Sequence, residues 1–388
     1  MSLFSDDQIR FDLLRKYSIN QWGRYPKDVI PLTAADPDFR AAEEIRRAIA
    51  NMAVDGVFSY GGDGGNPAFR DACARHVTNR KGFSCSPDEV FATSGVAQAM
   101  MLTCKALLKP GDEVVLFDPV DFLFGKSIDI AGGRQVLSKV SWETLEFDLE
   151  GLKELVTPKT KMICICNPHN PYGRVLRRDE LKAMVDLAVD HDLWIMSDEI
   201  WSDIVYDGRE HIATASIEGA SNRTLSLYGF SKTFALAGLQ LGFIVAQNPE
   251  LMAKVKGAAP GYFYPVNNVS QEAGRASLDE AWHWAQGFVR HLQGVRDYVY
   301  ERLSDMPGVD VRKPEGTYVI FPKIDGMTSI QATKYIMDEA QVAVVPGHGE
   351  PFSYFGLGGE GHIRIVYSTS MGIMEEAMDR VEAALSKL

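Results

Sequence analysis

The sequence predicts an α/β protein: a large domain of mostly parallel sheet flanked by helices, followed by a small α+β domain. Three observations carry this expectation. Buried-strand runs alternate with helical stretches through the middle of the chain, the texture changes near residue 285, and 388 residues suffice for a large domain with a smaller one attached. Glu113–Asp118, Lys161–Cys166, Leu193–Ser197, Thr224–Tyr228 and Gly242–Ala246 read as strands. Most are apolar nearly throughout rather than alternating, which suits a sheet covered on both faces. Helical stretches such as Arg178–Asp190 separate several of them, as in a largely parallel sheet.

Beyond residue 285 a charged helical pattern at roughly 284–305 leads to a strand at Thr317–Phe321 and another helix. Val342–Val345 and His362–Tyr367 follow as strands, and a last helix spans about 372–387. The expected division is an N-terminal arm (1–40), a large domain (41–285) and a small domain (286–388). Gln21-Trp22 and Ile30-Pro31-Leu32 are too apolar for a free tail, so the arm should pack with the small domain or across a subunit boundary.

Composition narrows the function classes. Hydrophobic residues at 46% and charged residues at 24% are those of an ordinary globular protein. A net charge of −12 argues against nucleic acid or an anionic membrane as partner. No apolar run approaches a membrane span, and the first residues lack the basic and apolar regions of a signal peptide, so a cytoplasmic location is expected. Five cysteines, an odd number, fit a reducing compartment. Cys164 and Cys166 share one strand face; without further ligands nearby they read as small buried hydrophobes rather than a metal or redox pair. The eight histidines form no ligand-spaced cluster, so no metal site is expected.

Several segments carry chemistry. Lys232, in Ser231-Lys232-Thr233-Phe234, follows a buried strand and a short loop, which would aim its amine into a cleft. Asp198 ends an apolar strand, and open α/β sheets bind ligands beyond the carboxyl ends of their strands; a helix N-cap is equally consistent locally. Asn170 lies in Asn167-Pro-His-Asn-Pro-Tyr-Gly173, a loop that two prolines and a glycine keep out of helix or ladder. Gly95, Val96 and Ala97 open a helix whose free amides form an anion site. Arg364 suits bidentate carboxylate binding, or is an outward charge on an alternating strand. Tyr60 stands five residues before Gly65 in a glycine-rich loop.

In this order and spacing, from Pro37-Asp38-Phe39 to Arg364, the segments resemble the fold-type-I pyridoxal-phosphate enzymes. The match is to the class I/II aminotransferases and their C–S β-lyase relatives. The resemblance implies a pyridoxal 5'-phosphate cofactor bound through a Schiff base to Lys232, which later moves the proton between Cα and C4′. It assigns Asp198 to the pyridine nitrogen, Asn170 to the ring 3′-oxygen, and Gly95, Val96, Ala97 and Ser231 to the phosphate. Arg364 would grip the substrate α-carboxylate, with Asn170 and Ala35 also at the substrate. Tyr60 would reach the phosphate of the partner subunit, implying a homodimer with shared sites. The implied reaction moves the amino group of an α-amino acid to a 2-oxo acid by a ping-pong cycle; the alternative is β-elimination from a cysteine conjugate.

The chain departs from that pattern in four places. Gln240 stands where aminotransferases commonly have an arginine on the phosphate, and Gly229 replaces a serine or threonine. Arg134, Lys139 or a residue of the partner subunit could supply the missing charge instead. Trp201 replaces a tyrosine near the ring oxygen; its N–H can donate but not accept. Asp121 occupies the usual place of the ring-stacking aromatic, making Phe122 the candidate for the stack with a one-residue shift. Three features lean toward the lyase branch, Asn167-Pro-His-Asn-Pro, Gly238-Leu239-Gln240 and Trp22; against it, that branch often has histidine where Trp201 stands, and its usual arginine after the substrate-binding one is missing at Ser368-Thr369-Ser370. Tyr262, Phe263, Tyr264 and Phe122 suggest an apolar or aromatic substrate pocket, though core or dimer packing explains them about as well.

Overall fold

The computed structural model describes residues 3–259, 266–349 and 354–388. Tyr262, Phe263 and Tyr264 lie outside the described residues. In chain order the first eight strands are β1 (Ile30–Pro31), β2 (Val90–Thr93), β3 (Glu113–Asp118), β4 (Arg134–Lys139), β5 (Thr160–Cys166), β6 (Trp194–Asp198), β7 (Thr224–Gly229) and β8 (Gly242–Val245). Seven of them form one sheet in the order β2-β8-β7-β6-β5-β3-β4. Neighbours from β7 through β4 pair in parallel, whereas β8 runs against both β7 and β2.

The continuous apolar runs have a simple cause: alternate side chains enter two different cores. Val114, Leu116, Met162, Cys164 and Met196 pack on one face with Met100, Leu102 and Cys104 of the helix Val96–Leu107. Val115, Phe117, Ile163, Ile165 and Ile195 pack on the other with Leu181, Met184, Val185 and Ala188 of Arg178–Asp190. Those four follow i, i+3, i+4, i+7, one face of a helix. The Glu180 carboxylate accepts the Arg177 backbone N–H at 2.8 Å, satisfying a donor at the helix start. Cys164 and Cys166 are thus core residues, and burial pushes both thiols well above the ordinary range, leaving them inert.

Two strands of the seven-stranded sheet escaped the sequence reading. β4 is an edge strand with a single ladder neighbour, and its RQVLSK carries the mixed polarity that edges tolerate. β2 has only four residues, too few for a clear pattern. The expected strand Val342–Val345 divides: Val342–Ala343 pairs in parallel with β1, and Val345–Pro346 pairs with Ile363–Val366. Ile363–Val366 also pairs with Val319–Ile320, giving a three-stranded antiparallel sheet. The helices Ser329–Ala340 and Met371–Leu385 pack against each other, and Trp282–Asp305 packs on the latter. The β1 pairing ties the first forty residues down, and Trp22 Nε1 donates to Asp38 Oδ1 at 2.7 Å within the core. Among the described residues no helix is long and apolar enough to cross a membrane.

Candidate active site

The strands end level with one another. Cys166 is registered against Asp198, Asp198 against Leu227, and Gly229 and Thr93 both against Gly242. The loops after β2, β3, β5, β6 and β7 therefore gather at one edge, joined by the segment entering antiparallel β8. They enclose a cavity of about 450 Å³. Gly95, Val96, Ala97, Phe122, Asn170, Asp198, Trp201, Ser231, Lys232, Gln240, Arg364 and Ala35, all predicted from sequence, line it. Tyr60 does not; it lies on the surface, 76% exposed.

Lys232 Nζ donates to the Ala35 carbonyl at 2.7 Å and sits 5.2 Å from the centre of the Trp201 ring. Burial first, and the Arg364 charge next, bring its ammonium down from 10.5 to about 8 against the pull of Asp36, Asp121 and Asp198. The Asp198 carboxylate accepts the Ile200 N–H at 3.1 Å, and burial raises it to about 7. Behind it, Glu199 accepts from Tyr228 at 2.7 Å and from the Thr214 backbone, which fixes the turn that carries Trp201.

Gly95 precedes the helix Val96–Leu107 at φ +91°, a conformation open to glycine, and no side chain caps the helix start. Its first amides therefore face the cavity. Gln240 also has positive φ, +48°. Arg134 lies elsewhere: it pairs with Glu113 at the start of β3, the opposite edge of the sheet. Arg364 is buried rather than outward, with Nη1 3.4 Å from Asn170 Oδ1 and Nη2 donating to the Thr33 carbonyl at 3.1 Å. Its Nε is buried without a hydrogen-bond partner.

Sequence reasoning missed part of the wall. Val345, in a strand paired beside Arg364, and Tyr354 and Phe355, further along the chain, line the cavity, and the Arg364 guanidinium lies 5.0 Å from the centre of the Phe355 ring. No motif marks them. Asp121 was legible only as a misfit, yet it faces the cavity and accepts from Asn170 Nδ2 at 2.9 Å.

A helix N-terminus, a depressed lysine, a buried carboxylate and a half-satisfied arginine gather around one cleft, as the resemblance to the fold-type-I pyridoxal-phosphate enzymes implies. A model of the family "Aminotransferase class I and II" matches residues 27–381, and the chain belongs to that family. It is 37% identical to an aspartate aminotransferase of Pyrococcus abyssi, over 92% of each chain. Among solved structures it resembles an aromatic aminotransferase from Pyrococcus horikoshii OT3. The TM-score is 0.87 at 34% identity, covering 94% of this chain and 96% of that one. A PLP-bound structure from Clostridium difficile 630 matches with the same TM-score, 26% identity and coverage of 98% and 96%. The chain is thus a pyridoxal-phosphate-dependent aminotransferase, acting on small amino and 2-oxo acids.

The cavity fits that cofactor on its own terms. Uncapped amides of Val96 and Ala97 face where a phosphate dianion would sit. The Asp198 carboxyl, pushed up by burial, gains most from a cation such as a protonated ring nitrogen. Lys232 carries an amine that is free base over a usable pH range.

Proposed function

We propose that this aminotransferase acts on α-amino acids through Lys232, Asp198, Asn170 and Arg364. The observation that carries the reading is their convergence in one cavity at the head of the helix Val96–Leu107. When bound, pyridoxal phosphate supplies an electron sink for a carbanion at the substrate Cα and a temporary carrier for the amino group. Lys232 binds it and takes and returns the substrate proton, a task for an amine poised near neutrality. Asp198 holds the ring nitrogen in its cationic form. Asn170 and Trp201 offer N–H donors near the ring oxygen, and Phe122, half exposed at the cavity rim, offers an aromatic face. The helix amides, Ser231 and the neutral Gln240 hold the phosphate. Arg364 has a free Nε and a planar fork for the α-carboxylate, and the Ala35 carbonyl stands beside it as an acceptor that Lys232 and Tyr318 share.

The reading includes a cytoplasmic homodimer in which Tyr60 serves the partner's phosphate. Mixing Tyr60→Phe with Lys232→Ala subunits should then restore part of the activity each variant lacks. Verified heterodimers without recovery would count against a shared site. The function itself is tested with a panel of amino acids plus 2-oxoglutarate or pyruvate. Product keto acid together with new glutamate or alanine is expected; ammonia released without any acceptor would point to β-elimination instead.

The lysine makes a pH prediction. Only the unprotonated amine attacks an aldehyde, and its ammonium sits at about 8 rather than 10.5. Cofactor uptake by cofactor-free protein should speed up with rising pH and level off above about 8. A midpoint near an ordinary lysine's would show that the cleft leaves the amine unperturbed.

A further inference from the structure

Lys81, a buried cation outside the cavity lining, has no task in the reading above. It follows the helix Pro67–Arg80, and its backbone N–H donates to the Val77 carbonyl at 2.8 Å. A lysine is almost never buried unless paired, yet this side chain is 2% exposed. Its amine turns inward to a segment more than a hundred residues away. Nζ donates to Ser202 Oγ at 2.7 Å and to Asp203 Oδ1 at 2.5 Å.

Those two acceptors belong to the turn that follows Asp198 at the end of β6, and Trp201 directly precedes them. Asp203 also touches the other turn of the site. Its second oxygen, Oδ2, stands 3.5 Å from Thr233 Oγ1, and Thr233 follows Lys232. Burial would raise the Asp203 carboxyl, but chiefly the Lys81 charge holds it below its ordinary value. Burial raises the Glu199 carboxyl, and the Tyr228 hydroxyl and the Lys81 charge oppose that rise. His76 and His211 border these carboxylates at 3.9 and 3.8 Å. Burial pushes the two imidazoles down to about 4 and about 3, so neither supplies charge. Lys81, Glu199, Ser202 and Thr233 are each at most 5% exposed within one chain, which encloses the cluster by itself.

A buried ion pair contributes little net stability, because desolvation offsets the attraction; its better use is to fix one arrangement. We propose that Lys81 is a positioning residue for transamination, holding the turn that bears Asp198 and Trp201 against the turn that bears Lys232. The inference rests on the aminotransferase reading of this site. Arg364 is held separately, by the Thr33 carbonyl and Asn170. The effect of losing Lys81 should therefore fall on kcat and leave the KM for the amino acid nearly unchanged.

Lys81→Met alone strands the Asp203 carboxylate and should lower Tm, as the loss of any buried partner would. The deciding variant is Lys81→Met with Asp203→Asn, which removes both charges at nearly constant volume and should recover most of the lost Tm. Fully loaded with pyridoxal phosphate, it should still turn over about tenfold to a hundredfold more slowly, the scale of a small misplacement of reacting groups. Its KM should stay within about twofold of wild type. The visible circular dichroism per bound cofactor, which reports how firmly the ring is held, should weaken in parallel. If the double variant does not fold, Asp203→Asn alone carries the same two readouts. Either wild-type kcat or wild-type dichroism in the loaded variant would overturn the proposal and leave Lys81 a packing element. A wild-type protein that transaminates no amino acid would instead overturn the functional reading beneath it.

Discussion

Lys232→Ala should abolish transamination while leaving the fold intact. Among the described lining residues Lys232 carries the one side-chain amine, the group able to hold the cofactor covalently and to take the Cα proton. Its loss should cost about 10⁴-fold or more in turnover, the scale of removing an essential nucleophile. Stability should not suffer with it. Burial depresses the folded-state ammonium from 10.5 to about 8. The contribution of this group is therefore fully favourable only above the unfolded value and is lost as pH falls through about 8. Below that pH the cofactor-free protein carries the cost of a buried cation, which alanine removes. Its Tm at pH 7 should equal or exceed that of cofactor-free wild type. Cofactor-dependent turnover surviving in Lys232→Ala would refute the assignment; a large fall in Tm would show the lysine to be a packing element.

Asp198→Ala should be nearly as severe. A carboxylate that keeps the ring nitrogen cationic is a preorganised electrostatic group, and such groups are worth about 10²–10³-fold or more in the chemical step. The competing reading is concrete, because the Asp198 carboxylate also accepts the Ile200 N–H like a simple cap. A variant within about tenfold of wild type would favour the cap, whose loss costs only about 1 kcal/mol. The pH behaviour offers a second check. Burial raises the folded-state value of Asp198 from 3.8 to about 7, so its contribution is favourable at acid pH and is lost as pH rises through about 7. Asp38, raised to the same range by the same cause, acts in parallel. Cofactor-free protein should lose stability between about pH 4 and 7, and Asp198→Asn should flatten part of that slope.

Much of this site could be read from the chain because its parts sit at strand ends. A buried strand fixes where its last residue emerges, and Asp118, Cys166, Asp198 and Gly229 all emerge at one edge. What stayed hidden is set by distance in sequence. Phe355 and the Thr33 carbonyl reach Arg364 from segments with no distinguishing pattern. The departures also gain physical reasons from the packing. At Gly229 an added Cβ would come within 3.0 Å of Val96 Cγ2 and 3.1 Å of Ile200 Cγ1, so any side chain would press on the helix start that faces the cavity. His169, central to the Asn167–Gly173 loop, is a packing residue. It lies edge-on to Phe147 at 5.4 Å, and burial pushes it down to about 3, which keeps it neutral. Sequence could not distinguish it from a proton carrier.

The central claim is that this cavity carries an amino group from one substrate to the next. The direct measurement mixes cofactor-loaded protein with a single reactive amino acid and no acceptor, and counts keto acid and ammonia per subunit. A ping-pong aminotransferase stops after one equivalent of keto acid, releases no ammonia, and resumes only when a 2-oxo acid is added. Continued turnover without acceptor, with ammonia and pyruvate accumulating together, would contradict the account and place the chemistry with carbon–sulfur bond cleavage.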